Sequence, residues 1–158
     1  MSGRSAAVST LDGNNLCLAA MEAGTARLST LLAKGVPVDF EDKYGHTALM
    51  RASEYGRESS VLLLLQSGAL INYQSSVDGF TALMIAAAYG LNDKVSIVSL
   101  LLSRGADPSL RNKDGATALE KAKQFSSTEV VKMIEKHIST TDMSKHVTEV
   151  SYIQCLFL

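Results

Sequence analysis

Nucleophilic or metal chemistry would have to come from very few side chains here. The chain carries two cysteines, Cys17 and Cys155, and three histidines, His46, His137 and His146. A thiol becomes a useful nucleophile only when a base is held against it in space. No local pattern provides such a pair. His137 and His146 stand nine residues apart, which is not a metal-ligand spacing, and neither H-E-x-x-H nor C-x-x-C occurs. There is no glycine-rich loop able to cradle a phosphate, and Gly105-Ala106-Asp107-Pro108 reads as a turn rather than a nucleotide motif. These residues point away from an enzyme and imply no cofactor and no metal.

The last four residues offer a different chemistry. Cys155-Leu156-Phe157-Leu158 has the form of a C-terminal prenylation box, and a terminal Leu points to a geranylgeranyl group. Phe in the third place fits poorly, and no polybasic patch precedes the box. A single prenyl chain gives only marginal membrane binding. The other reading of this apolar end is a segment that packs against the body of the protein or presents a tip to a partner. Membrane contact is thus expected only if the tail is exposed or Cys155 is prenylated. Upstream, Met143, Val147, Val150 and Ile153 are spaced four, three and three apart. That spacing predicts a helix over 142–153, with an extended segment through VTEVSYIQCLFL as the alternative.

The rest of the chain must position whatever function exists. Its 158 residues favour one domain, and 46% apolar with 20% charged residues is a foldable composition. A net charge of −1 gives no overall basic face, so nucleic-acid binding is not expected. Met1–Asp12 lacks the apolar core of a signal peptide. The longest apolar runs, such as Val61–Leu65, are far too short to span a bilayer. Two cysteines are compatible with a reducing compartment. A cytoplasmic and/or nuclear monomer is the expectation.

Internal repetition supplies the organisation. Asp42–Asn72 and Val77–Ser109 both carry Gly-x-Thr-Ala-Leu-Met, then Tyr-Gly, an apolar run and Gly-Ala. A third copy starts at DGATALEKAK (Asp114–Lys123), and a degraded one, DGNNLCLAAMEAG, precedes them all from Asp12. The opening glycines Gly13, Gly45, Gly79 and Gly115 are separated by 32, 34 and 36 residues. Thr47, Thr81 and Thr117 are placed to cap short helices. Small residues recur four apart behind them, at Ala48/Ala52, Ala82/Ala86 and Ala118/Ala122. Heavier second helices follow at Val61–Leu65, Val95–Leu102 and Val130–Ile134. Gly56, Gly90, Gly68 and Gly105 are read as helix terminators. One unit cannot bury its own apolar face, so the units must stack.

This pattern closely resembles the ankyrin-repeat family, whose unit is about 33 residues long. The resemblance covers roughly Asp12 to His137. It implies an all-α solenoid of stacked helix-turn-helix units with β-turn or hairpin connections, plus a C-terminal tail. The organisation then reads as a leader over 1–11, an ankyrin-repeat domain over 12–138 and a tail over 139–158 that is helical and docked in one reading. The repeats fall at about 12–41, 42–75, 76–111 and 112–138, the first and last being degenerate caps. Cys17 stands where the family has a core Leu. The usual Pro is replaced by Ala48, Ala82 and Ala118, and the usual His by Met50, Met84 and Glu120. Extra residues fall near Leu91–Lys94 and in Gln74–Gly79, and polar Lys123 and Ser126 suit a terminal cap.

The family binds proteins through its turn tips and concave first-helix face. Carried over by position, that implies protein-binding roles for Asp42, Tyr44, His46, Arg51, Glu54 and Tyr55 in the second unit. In the third and fourth units it implies Ser76, Asp78, Phe80, Tyr89, Asn112, Asp114, Gln124 and Phe125. Tyr44 and Phe80 sit in turns where exposure is expected. Tyr55, Tyr89 and Phe125 are either contact residues or spacers packed between units, and the three aspartates are either contacts or braces for their own turns. An adaptor or inhibitor of an unnamed protein partner is the function implied. The other reading is a localising or assembly subunit anchored through its apolar tail.

Overall fold

Short helices dominate, several of them started by a hydroxyl cap. The computed structural model describes residues 9–89, 94–125 and 128–156, and the side chains of Lys94 and of residues 143–156 fall outside the description. The helices are α1 (Thr10–Met21), α2 (Ala26–Ala33), α3 (Ala48–Glu54), α4 (Glu58–Gln66), α5 (Ala82–Tyr89), α6 (Lys94–Ser103), α7 (Ala118–Phe125) and α8 (Thr128–Leu156). In the described residues they form four pairs. The inner helices α1, α3, α5 and α7 pack in series, and each is backed by its outer partner α2, α4, α6 or α8. The result is an all-α solenoid of stacked helix pairs.

The caps are side-chain hydroxyls. Thr47 Oγ1 accepts the Met50 N–H, Thr81 Oγ1 that of Met84, and Thr117 Oγ1 that of Glu120, at 3.3–3.4 Å. Each satisfies a donor that the first helical turn leaves free. Where Glu120 stands in place of the apolar Met50 and Met84, its carboxylate accepts from both the N–H and the hydroxyl of Thr117. That closes a reciprocal capping box.

The first pair departs from the reading by glycine spacing. Gly13 does not open a turn; it lies inside α1, which is capped by Ser9 and begins at Thr10, within the residues assigned to a leader. The Ser9 side chain accepts the Asp12 N–H and donates to the Asp12 carboxylate. A Cβ at Gly13 would stand 2.4 Å from the Phe40 ring. Gly13 thus makes room for an aromatic ring instead of bending the chain. The division at 138/139 also does not coincide with a break, because α8 runs unbroken from Thr128 to Leu156. The expected terminator Gly90, most of the insertion at Leu91–Lys94 and Ser126 lie outside the described residues.

The core sits between the two helix layers. Ala48 and Ala52, Ala82 and Ala86–Ala88, and Ala118 and Ala122 are all buried. Small side chains there let the inner helices approach closely. Leu28, Leu31, Val61, Leu64, Ile97, Leu101, Val130 and Ile134 fill the space from the outer layer. At about 1.5–3 kcal/mol for each fully buried large aliphatic side chain, this layer is the main favourable term.

Three turns project as fingers between successive pairs. Each closes with a backbone bond: Asp42 N–H to the His46 carbonyl, Ser75 N–H to that of Phe80, and Asn112 N–H to that of Ala116, at 2.9–3.0 Å. The middle finger holds the extra residue. Fingers also bond to each other, the Lys113 N–H donating to the Asp78 carbonyl at 2.9 Å. Gly79 makes that approach possible. Its φ is +74°, and a Cβ there would lie 3.0 Å from the Lys113 nitrogen. At the opposite end of the units, Asp39 accepts the Leu70 N–H and Asn72 accepts the Asp107 N–H. These bonds join one unit to the next.

Gly79→Ala is expected to destabilise the protein by more than about 1 kcal/mol, because it adds both strain at positive φ and a contact with the next finger. Gly24→Ala, with nothing within 4 Å of the added Cβ and no positive φ, is expected to be neutral or to stabilise by up to about 1 kcal/mol. Urea unfolding of the two variants beside the parent checks both signs.

Candidate functional site: the finger and inner-helix face

The first finger is built around a charge cluster. Asp42 accepts the N–H groups of Tyr44 and His46 at 2.9 and 3.1 Å, which fixes the turn. Its second oxygen accepts from Arg51 on α3 at 2.8 Å. Arg51 also donates to Glu54 at 2.9 Å, one helical turn along. One guanidinium thus ties the finger to its helix. Burial alone would raise the Asp42 carboxyl, but the Arg51 hydrogen bond and the two backbone donors outweigh it and hold it below the usual carboxylate range. Burial alone would likewise lower Arg51, yet its two carboxylate partners raise it.

Tyr44 stands on this base, 57% exposed. The Lys43 ammonium lies 4.8 Å from its ring centroid and the Arg51 guanidinium 5.3 Å. Beside it opens a groove of about 430 Å³, floored by Cys17, Leu18 and Met21 of α1 and walled by Asp42, Arg51 and Tyr55. Leu18 is half-exposed here, and sequence reasoning passed over it. The signal was present: Leu16, Cys17 and Leu18 are consecutive apolar residues on one helix, and a period of 3.6 cannot turn all three inward.

The second part of the face is a row of aromatic rings. Phe80 and Tyr89 have centroids 6.0 Å apart, and Tyr89 and Phe125 are 5.6 Å apart. Tyr89 is 45% and Phe125 48% exposed. Phe80 is not, and the expectation of an exposed Phe80 is corrected: it is 6% exposed. It directly precedes the capping Thr81, a position from which apolar side chains fold back onto the helix. Asn112 is also turned inward, at 5% exposed. Its amide oxygen accepts the Ala116 N–H and its amide nitrogen donates to Asp114. Asp78 accepts the Phe80 N–H. Ser76 and Gln124 are exposed, and the Ser76 hydroxyl donates to Glu41.

The Cys17 thiol donates to the carbonyls of Phe40 and His46, and among the described residues no hydrogen bond joins it to an imidazole. Burial pushes it up to about 12, so it is not a thiolate near neutral pH. His46 lies beside finger one with its Nδ1 buried and without a partner. Burial first, then the Arg51 charge, lowers its pKa from the ordinary 6.5. Among the described residues no group of three His, Cys, Asp or Glu could hold a metal, and no helix is long and apolar enough to cross a membrane. The side chain of Cys155 and the residues Phe157 and Leu158 lie outside the description.

The family of ankyrin repeats (three copies) matches residues 3–75 and 68–144. The chain belongs to the ankyrin-repeat family. It is 35% identical over 131 residues, 80% of its length, to a putative ankyrin repeat protein of fowlpox virus (strain NVSL), covering 38% of that protein. A putative ankyrin repeat-containing protein of Treponema pallidum (strain Nichols) is 39% identical over 111 residues, 70% of this chain and 36% of its own length. A putative E3 ubiquitin-protein ligase of Arabidopsis thaliana is 38% identical over 113 residues, 70% of this chain and 29% of its own length. The chain therefore spans between 29% and 38% of the length of these relatives. As an ankyrin-repeat domain it is a non-catalytic scaffold for protein–protein interaction.

His46 gives this face a pH dependence with a defined sign. Its folded pKa is below 6.5, so the unfolded state takes up the proton first as pH falls. Its contribution is complete above 6.5 and is lost as pH drops from there to the lower folded value. Urea midpoints between pH 7.5 and 5 should fall in the parent, and His46→Gln should flatten that slope.

Proposed function

We propose that the chain binds a protein partner across the fingers and inner helices, acting as an adaptor or inhibitor. Exposed rings concentrated on that one face carry the reading. Tyr44, Tyr89 and Phe125 lie there beside the half-exposed Leu18, and rigid aromatic area of this kind anchors interfaces. The four helix pairs are taken as four repeats, the outermost serving as caps. The charged, capped fourth unit, with its Thr117–Glu120 box, supports a role facing water. Phe80 and Asn112 act behind the face by holding the rings and finger three in place.

A cytoplasmic and/or nuclear monomer without nucleic acid or cofactor belongs to the same proposal. The second reading, a subunit anchored at a membrane or larger complex through its apolar tail, rests on an exposed tail or a prenyl group at Cys155, and an intact mass from eukaryotic cells tests the prenyl group.

A photoreactive benzoylphenylalanine placed at Tyr44 or Tyr89 should cross-link a protein partner in cells. The same group at Ser67, which ends α4, or at Ser103 on α6, both exposed on the outer layer, should not. Cross-linking confined to the outer positions would sink the proposal. Circular dichroism of each variant controls for folding. Tyr44→Ala with Tyr89→Ala should weaken the captured complex at least about tenfold, the scale of losing an interface anchor.

A further inference from the structure

The geometry points to an acidic peptide segment with apolar anchors as the partner of this face, an inference that rests on the proposed interface and specifies its ligand. Asp42 and Glu54 are both bound by Arg51, Asp78 accepts a backbone N–H, Asp114 accepts from the Asn112 amide, and Glu120 accepts from Thr117. Every one of these carboxylates is turned to a donor of the protein itself. The ammonium groups are arranged differently. Lys43 lies over the Tyr44 ring and Lys121 lies 5.1 Å from the Phe80 centroid. Lys113 donates only to the Ser76 carbonyl, one finger away. Among the described residues none of the three forms an ion pair with a carboxylate.

Two ammonium groups without a carboxylate partner therefore lie beside rings of the face. Lys43 accompanies Tyr44, and Lys121 accompanies the Phe80 that stacks on exposed Tyr89 and Phe125. An apolar side chain set against a ring places its neighbouring residues beside an ammonium, where a carboxylate gains and a cation loses. Three ammonium groups set among five bound carboxylates make no continuous basic track for a phosphate backbone, which favours a peptide carrying a few carboxylates over a single-stranded nucleic acid despite the stacking surface.

Panning a random phage-displayed peptide library against the full chain tests the idea. Enriched sequences should combine Asp or Glu with Leu, Phe or Trp. The strongest peptide, synthesised with a fluorescein label, should bind the Lys43→Glu/Lys113→Glu/Lys121→Glu variant at least about tenfold more weakly. A matching Lys→Gln set should show a smaller loss, and affinity should fall with added salt. Circular dichroism of both sets verifies the fold, and the Lys→Gln set carries the test should charge reversal disturb it. Basic or neutral enriched peptides, no enrichment, or indifference to the lysine variants would overturn the inference. So would tighter binding of labelled oligo-dT than of the peptide. Non-acidic peptides that are nonetheless lost on Tyr44→Ala would leave the interface standing and remove only its acidic partner. Acidic peptides that depend on the lysines but cross-link to the outer helices would remove the interface and this inference with it.

Discussion

The short inner helices cannot support themselves. The inner helices α3, α5 and α7 have seven or eight residues, below the length at which an isolated helix persists in water. In α5 every residue from Ala82 to Ala88 is buried, so that helix has no solvent stripe before Tyr89. Its stability has to come from neighbours on all sides. The alanine rows permit this because a larger side chain at any of those positions would hold two inner helices apart. Close packing between units is the constraint on which the other features depend, including the hydroxyl caps, the finger-to-finger bonds and the Asp39 and Asn72 links.

The same constraint decides where recognition can occur. Positions that touch the next unit cannot vary freely, and the fingers show how much variation remains. All three close with one backbone bond, yet three different side chains brace them. Asp42 accepts two N–H groups, Ser75 Oγ accepts from Val77 and Asp78, and Asn112 accepts from Ala116. The turn demands a short acceptor near its start and is indifferent to which. The tips beyond that acceptor, Lys43-Tyr44, Val77-Asp78 and Lys113-Asp114, carry different chemistry on a common frame.

Most of the fold was legible in the sequence because its signals are local. Thr47, Thr81 and Thr117 each mark a helix start, and the paired alanines mark inner faces. The first unit was misread because Gly13 matches the glycine spacing, whereas the true start signal is the Ser9-to-Asp12 capping pattern four residues upstream. Period identifies a repeat, but the cap fixes its register. The face was only partly legible. Tyr44, Arg51 and Asp42 were found from their positions in the motif. Their joint geometry was not, because the bond from Arg51 to Asp42 spans nine residues and depends on how a finger folds against a helix. Phe80 and Asn112 were assigned outward from turn position alone. Burial in a turn is set by the neighbouring unit, and a single unit's sequence does not display its neighbour.

That distinction bears on how such a surface acquires specificity. Phe80 is buried, yet it sets the position of Tyr89, which in turn meets Phe125 on the next helix pair. Arg51 is mostly covered, yet it holds the finger under Tyr44 and contributes its own charge to that ring. The exposed anchors therefore stand on residues committed to stacking, and their spacing is inherited from the spacing of the units. A partner that spans two anchors reads the distance between repeats as much as the side chains on them. Changes at the tips alter what is bound, whereas changes in the alanine rows alter the geometry in which any partner is met.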